Sequence, residues 1–305
     1  MHYDYVPITE RGPLRFPDDA NVALILTFNL ETWDLIKDTD QAYYAGGPAI
    51  LPNVLPGNIP DYPNYTWREY GQRVGIWRLY ELFDELGVQA SCTTNAVTFE
   101  RRHAMVKACL DRGWELLAHN FEQGELLTDF AHDPAAEREV IARTINLYTR
   151  YVGRKPKGWL SSSLRGTLST ASILRENGFE FYCDIMNDDQ PYLIDTDAGP
   201  IVSIPYSNEI NDFTIITRRG HTTDEYRDIL IEELNVLHAE GASSGRIMNV
   251  GIHPHVSGRA YRIRALREFL EYAKALPNVW WPTREALAAW YLANSADHMP
   301  TLSSR

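Results

Sequence analysis

The sequence predicts an α/β chain wound into a (β/α) barrel of seven or eight strands. From residue 21 onward, short apolar runs rich in β-branched residues alternate with amphipathic stretches, the mark of repeated strand and helix units. Several amphipathic stretches end in glycine just before the next run, as in Leu86-Gly87-Val88, Arg112-Gly113-Trp114 and Asn177-Gly178-Phe179. That is where a helix places its left-handed closing residue. A length of 305 residues is generous for one domain but ordinary for a barrel. A doubly wound open sheet is the alternative for the same alternation.

In order, strands are expected at 22–28, 88–94, 114–118, 158–160, 179–183, 201–204, 246–252 and 279–281. Helices are expected at 74–86, where Ile76, Leu79, Leu82, Phe83 and Leu86 share a face, then at 101–111, 134–151, 169–176, 223–240 and 262–276, with 284–292 closing the chain. Residues 32–72 are the exception, long, rich in Gly, Pro, Tyr and Asn, and without either period. We read them as a lid-like insertion after the first strand, with Tyr43, Tyr44, Tyr62, Tyr65, Trp67 and Tyr70 available to wall a pocket for a flat ring. No repeat or linker interrupts the rest, so residues 1–305 are expected to form a single domain.

Composition narrows the function. Asp and Glu outnumber Lys and Arg by 41 to 29, a formal charge of −12, which argues against a partner held through phosphates, whether nucleic acid or an anionic membrane. A small-molecule substrate is the expectation. Cys92, Cys109 and Cys183 are odd in number and lack CxxC spacing, which favours a reducing compartment. The first 17 residues show no apolar signal core, and no apolar run is long enough to span a bilayer. A cytoplasmic location is expected.

Catalytic groups of a (β/α) barrel project from the C-terminal ends of its strands. Three apolar runs have polar endings: Thr27-Phe28-Asn29-Leu30-Glu31, Leu117-Ala118-His119-Asn120-Phe121-Glu122-Gln123 and Gly251-Ile252-His253-Pro254-His255. Singly, each is as readily a strand cap or a loop hydrogen bond. Together they bring a carboxylate and imidazoles to one rim, a set able to bind a metal, activate water or steady an oxyanion. No Gly-x-Ser-x-Gly elbow, P-loop or dinucleotide fingerprint competes.

At these residues, across roughly positions 18–291, the chain resembles the polysaccharide deacetylase superfamily, the NodB-like distorted barrel that includes chitin and peptidoglycan deacetylases, metal-independent allantoinases and cyclic imide hydrolases. The allantoinase-like and imidase-like branch is nearest, through Trp67-Arg68-Glu69-Tyr70-Gly71-Gln72-Arg73-Val74-Gly75-Ile76-Trp77-Arg78, Gly113-Trp114-Glu115, Asn187-Asp188-Asp189-Gln190-Pro191-Tyr192, Ile204-Pro205-Tyr206-Ser207 and Ile252-His253-Pro254. The resemblance implies hydrolysis of a non-peptide amide, imide or ureide bond in a small, cyclic substrate. N-deacetylation of amino sugars is the alternative, and an inactive binding member is another. It also implies a homo-oligomer, dimer or tetramer.

The same resemblance implies roles. Asn29 stands where deacetylases carry the catalytic base, so the catalytic set is Glu31, His253 and a departed base position at Asn29. Glu31, His119 and Gln123 match the metal ligands, Zn being the implied ion. Gln is a poor zinc ligand, which leaves three alternatives: weak binding, Glu122 or His255 as substitute, or metal-free catalysis. His253 aligns with the family's late general acid. Trp159, Ser161, Asp188 and His255 are assigned to substrate binding, the first two within Trp159-Leu160-Ser161-Ser162-Ser163-Leu164-Arg165, where deacetylases carry an Arg-Pro motif that is absent here.

Overall fold

The computed structural model describes residues 2–35, 50, 55 and 59–299. Among these, nine strands form one curled sheet: β1 Val22–Leu30, β2 Ser91–Thr94, β3 Glu115–Ala118, β4 Gly158–Trp159, β5 Phe181–Tyr182, β6 Tyr192–Ile194, β7 Ile201–Ser203, β8 Arg246–Ile252 and β9 Val279–Trp280. Neighbours run β6-β7-β5-β4-β3-β2-β1-β8, with β9 beside the start of β1. Every pair is parallel except β6 and β7. The result is a distorted (β/α) barrel whose sheet ends at β6 and β8, and across that seam Ile247 N–H on β8 donates to Asp189 O, just before β6, at 2.7 Å. The helices are α1 Tyr62–Tyr70, α2 Ile76–Leu86, α3 Thr98–Arg101, α4 His103–Asp111, α5 Pro134–Val152, α6 Thr170–Glu176, α7 Thr223–Gly241, α8 Ile263–Ala275 and α9 Arg284–Asn294.

The two-residue period of a strand decides what reaches the site. On β1, Val22, Leu24, Leu26, Phe28 and Leu30 face outward and pack with Leu79, Leu82 and Phe83 of α2, Leu230 and Leu234 of α7, and Phe269 of α8. Ala23 and Ile25 face inward, against Leu117, Ile247 and the α9 residues Leu287, Ala288 and Tyr291. With both faces covered, β1 is a continuous apolar run. Above the apolar floor made by α9 the interior turns polar, as Arg284 Nη2 donates to Thr27 Oγ1 at 2.7 Å and to Asn249 Oδ1 at 2.8 Å. Stepping two residues further along each inward face leads from Thr27 to Asn29 and from Asn249 to Gly251. One more step reaches Glu31 and His253.

Two elements differ from expectation. β6 is a three-residue antiparallel strand beside β7, too short for its alternation to show. The end of the expected lid is instead α1, capped by Asp61, which accepts from Asn64 N–H at 3.1 Å, and opened by Pro63 in the first turn. A π-helical turn, Gly71–Gly75, joins α1 to α2. A Cβ at Gly71 or Gly75 would strike the backbone of His255 or Pro254, so these glycines let the helix lie directly on the loop after β8. The aromatic density of Tyr62, Tyr65, Trp67 and Tyr70 hid this helical period. Residues 36–49, 51–54 and 56–58, with Tyr43 and Tyr44, lie outside the described residues, and so does most of the lid expectation. No helix among the described residues is long and apolar enough to cross a membrane.

Candidate active site

A cleft at the C-terminal ends of the strands is lined by Asn29, Glu31, His119, Ser161, Ser163, Tyr206 and His253, with Phe213 and Arg218 from the turn before α7. Glu31 Oε1 accepts from Gln123 Nε2 at 3.1 Å and lies 3.6 Å from His253 Nε2. Burial alone would raise the Glu31 carboxyl, but His253, and behind it His119 and Arg68, outweigh burial and hold it below the usual carboxylate range. The cleft therefore contains an anion.

His253 Nδ1 lies 2.7 Å from Asp212 Oδ1, while its own backbone N–H donates to Asp212 Oδ2 at 2.8 Å. Asp212 is fully buried and also accepts from Ser257 Oγ at 2.6 Å. Burial would depress this imidazole; the charges of Asp212 and then Glu31 overcome it and raise the pKa to about 10. At neutral pH His253 is an imidazolium with an N–H aimed at Glu31.

His119 is the opposite case. Its Nδ1 meets Leu160 O at 2.5 Å, and because a carbonyl only accepts, Nδ1 carries the proton. Burial lowers the pKa in spite of Glu31. Nε2 keeps a lone pair and has no hydrogen-bond partner among the described residues. Asn29 Oδ1 accepts from Thr93 Oγ1 at 2.9 Å, which turns Nδ2 toward Tyr206 Oη, 3.5 Å away. Tyr206 receives Asn211 Nδ2 at 2.9 Å, and burial pushes its hydroxyl up to about 12. Where a base could have stood, the cleft presents an amide donor.

The chain is 26% identical over 241 residues to a Schizosaccharomyces pombe protein named "Putative polysaccharide deacetylase", covering 73% of this chain and 74% of that one. The crystal structure of a "probable Polysaccharide deacetylase" from Pseudomonas aeruginosa PAO1 matches with a TM-score of 0.81 at 25% identity, over 93% of this chain and 95% of that one. The crystal structure of Puue allantoinase matches with a TM-score of 0.81 at 26% identity, over 96% and 99%. No family model matches the chain. The chain belongs to the NodB-like polysaccharide deacetylase superfamily. The deacetylases and the allantoinase to which it is similar are hydrolases of carbon–nitrogen bonds other than peptide bonds.

Of the residues expected at this superfamily site, Asn29, Glu31, His119, Ser161 and His253 line one cleft. Ser161 is fixed there by its N–H to Asp184 Oδ1 at 2.7 Å. Three substrate-binding assignments need correction. Trp159 is fully buried in the packing between sheet and helices, with Phe179 and Leu127, and its Nε1 donates to Ser161 Oγ at 2.9 Å; it supports the wall without lining it. Asp188 is held in a two-pronged pair by Arg11, at 2.8 and 2.7 Å, and fastens the N-terminal segment. His255 lies behind Glu31, edge-on to Trp67 with ring centroids 4.6 Å apart, in a separate crevice with Trp33 and Arg68.

The expected metal ligands do not assemble. Gln123 Oε1 accepts from Ser162 Oγ at 3.1 Å and its Nε2 faces Glu31. Turning the amide over would set its oxygen against a carboxylate. Glu122 sits 3.7 Å from Arg101, and His255 is walled off by aromatic rings. Among the described residues no three His, Cys, Asp or Glu side chains are disposed to hold a metal ion. Glu31 and His119 are two donors without a third, so the residues do not fit the family's metal centre.

Sequence reasoning missed Asp212, Asn211, Arg218 and the role of Tyr206. Asp212 lies in Ile210-Asn211-Asp212-Phe213-Thr214-Ile215-Ile216, which has neither strand nor helix period. The available signal was an acid inside an apolar run, where burial requires a partner.

Proposed function

We propose that the chain hydrolyses a carbon–nitrogen bond of a small cyclic amide, imide or ureide by a metal-free route. The observation that carries this reading is the pairing of a Glu31 carboxylate with a His119 Nε2 that has no partner among the described residues, opposite a His253 imidazolium held by Asp212. A water donating to His119 Nε2 and Glu31 is poised to attack a carbonyl carbon, while Asn29 Nδ2 donates to the carbonyl oxygen as it gains charge. As the oxygen–carbon bond forms, the water proton passes to Glu31. As the carbon–nitrogen bond breaks, His253 Nε2 gives its proton to the departing nitrogen. The 3.6 Å gap between Glu31 Oε1 and His253 Nε2 returns the proton and restores both groups. Substrate, site residues and the absence of a metal step are parts of this proposal, as are the homo-oligomer that the family resemblance suggests and the cytoplasmic location that the cysteine usage suggests.

Deacetylation of an amino sugar is the second reading, favoured by the names of the fission-yeast and Pseudomonas proteins. A turnover screen of succinimide, hydantoin, allantoin and N-acetylglucosamine oligomers, before and after prolonged chelation, separates the two. Ring opening that survives chelation is expected. Turnover of the acetylated sugars alone, or activity lost with the chelator and restored by a divalent ion, would overturn the proposal.

A further inference from the structure

Leu160, Ser161, Ser163 and Leu164, just after β4, form one wall of the cleft, and nearly every polar group in this run is engaged. Ser161 N–H donates to Asp184 Oδ1 at 2.7 Å and Ser162 N–H to Asn120 Oδ1 at 3.2 Å. The N–H groups of Leu164 and Arg165 close the turn on Ser161 O at 2.9 Å and Ser162 O at 3.1 Å. Ser161 Oγ accepts from Trp159 Nε1 at 2.9 Å, and Ser162 Oγ donates to Gln123 Oε1 at 3.1 Å. Ser163 is the exception. Neither its N–H nor its Oγ has a hydrogen-bond partner among the described residues, although the Oγ is buried. Ser163 and Leu164 are also both left-handed, with φ of 57° and 60°, a conformation that a residue with a side chain adopts only at a cost.

A strained residue that leaves two donors unmet, one of them buried, is not explained by folding alone. An acceptor arriving with the substrate would satisfy both. The wall stands beside the reacting groups, since Leu160 O receives His119 Nδ1 at 2.5 Å and Gln123, held by Ser162, donates to Glu31 at 3.1 Å. In the mechanism above, Asn29 Nδ2 takes the carbonyl that is attacked. Asn29 lies on β1 and Ser163 follows β4, with β2 and β3 between them in the sheet, each strand adding roughly 4.8 Å. Ser163 therefore needs an acceptor of its own. Its N–H and O–H are neutral donors, which suit an uncharged carbonyl, whose oxygen has two lone pairs to receive them.

We infer that Ser163 is a specificity-determining residue, whose N–H and Oγ receive the second carbonyl of a ring in which two carbonyls bracket the nitrogen that is released. This rests on the ring-opening reading above. It narrows the substrate class to cyclic imides and ureides such as hydantoins, and sets aside lactams and acetamido groups, which have no second carbonyl to offer.

The test compares hydantoin with 2-thiohydantoin, which keeps the ring and one carbonyl but puts sulfur, a weak acceptor, in place of the other oxygen. Wild type, Ser163→Ala and Ser163→Gly are measured as full chains, by kcat and KM on each ring and by titration calorimetry. The intrinsic reactivity of each ring is common to all three proteins and cancels when their preferences are compared. Ser163→Ala should lower the preference for hydantoin about 5-fold, as expected for one neutral hydrogen bond, and the loss should appear in KM for hydantoin more than in kcat. Ser163→Gly should lower it as much while raising the melting temperature, because glycine takes the left-handed conformation freely. An unchanged preference in both variants would overturn the inference. So would an equal loss on both rings carried by kcat, which places Ser163 at the reacting carbonyl instead. Should neither ring open, the ring-opening reading fails and the calorimetry still decides. Tighter binding of hydantoin than of 2-thiohydantoin by wild type, with the difference reduced in Ser163→Ala, then upholds the carbonyl site, and an equal difference in both proteins rejects it.

Discussion

His119 and His253 end two strands of one sheet, are both buried, and face the same Glu31, yet they hold their protons in opposite ways. The difference lies on the far side of each ring. His119 Nδ1 meets a neutral carbonyl, that of Leu160, which fixes a tautomer but adds no charge, so burial prevails and the ring stays neutral. His253 Nδ1 meets the buried carboxylate of Asp212, and two anions outweigh the same burial. The partner behind a histidine, more than its burial, decides whether it serves as an acceptor or as an acid.

The largest expected effect comes from making the two histidines alike. Asp212→Asn keeps a hydrogen-bond partner and removes the charge, so the His253 imidazolium loses its main support. Turnover at neutral pH should fall on the order of 10²–10⁴-fold, the usual range for losing a general acid. In wild type the alkaline limb of the pH–rate profile should lie near the raised value of about 10, and in the variant it should move toward the ordinary imidazole range. The stability effect has a defined sign. A pKa raised in the folded state contributes stability that is fully present below about 6.5 and lost as pH rises through about 10. Thermal melts should show wild type losing stability across that window and the variant changing less. An unmoved alkaline limb would refute the role of Asp212.

The next effect concerns the acceptor. His119→Ala removes the unpartnered lone pair but leaves the Asp212–His253 pair intact, so turnover should drop by about 10²-fold while the alkaline limb stays in place. On the acid side both Glu31 and His119 are held below their ordinary values, 4.5 and 6.5. Their stability contributions are therefore present above those values and lost as pH falls, and wild-type activity should persist below pH 6.5. An acid limb centred at 6.5 would mean that His119 titrates as an ordinary imidazole, and the contrast with His253 would fail.

Much of this was legible in the sequence, for a physical reason. Glu31, His119 and His253 each follow an apolar run whose two-residue period fixes which way the next polar residue points, so strand endings foretold a shared cleft. Asp212 was not legible because it is held by long-range contacts, to His253 and Ser257, from a turn that has no period. Asp188 was misread for the complementary reason. Its neighbours Asp184 and Asp189 make a local acidic cluster, but its partner, Arg11, lies 177 residues away. The metal expectation turned on position 123, since a sequence shows a Gln there and not which end of its amide faces Glu31.

The smallest effect tests whether Asn29 presents a donor by design of its surroundings. Thr93 Oγ1 donates to Asn29 Oδ1 at 2.9 Å, and this bond is what turns Nδ2 toward the cleft. Thr93→Val preserves the shape and removes the donor, leaving the carboxamide free to turn its oxygen inward. One neutral hydrogen bond contributes about 1 kcal/mol, so kcat should fall roughly 5-fold. KM should change less, because the Asn29 donor acts most strongly on the charge that develops in the transition state. Asn29→Ala removes the donor altogether and should cost more than Thr93→Val. If the two variants lose equal activity, the orientation of the amide is all that matters at this position. If Thr93→Val has no effect while Asn29→Ala does, Tyr206 alone orients the amide, and the contrast between a base and a donor at position 29 rests on Tyr206 instead.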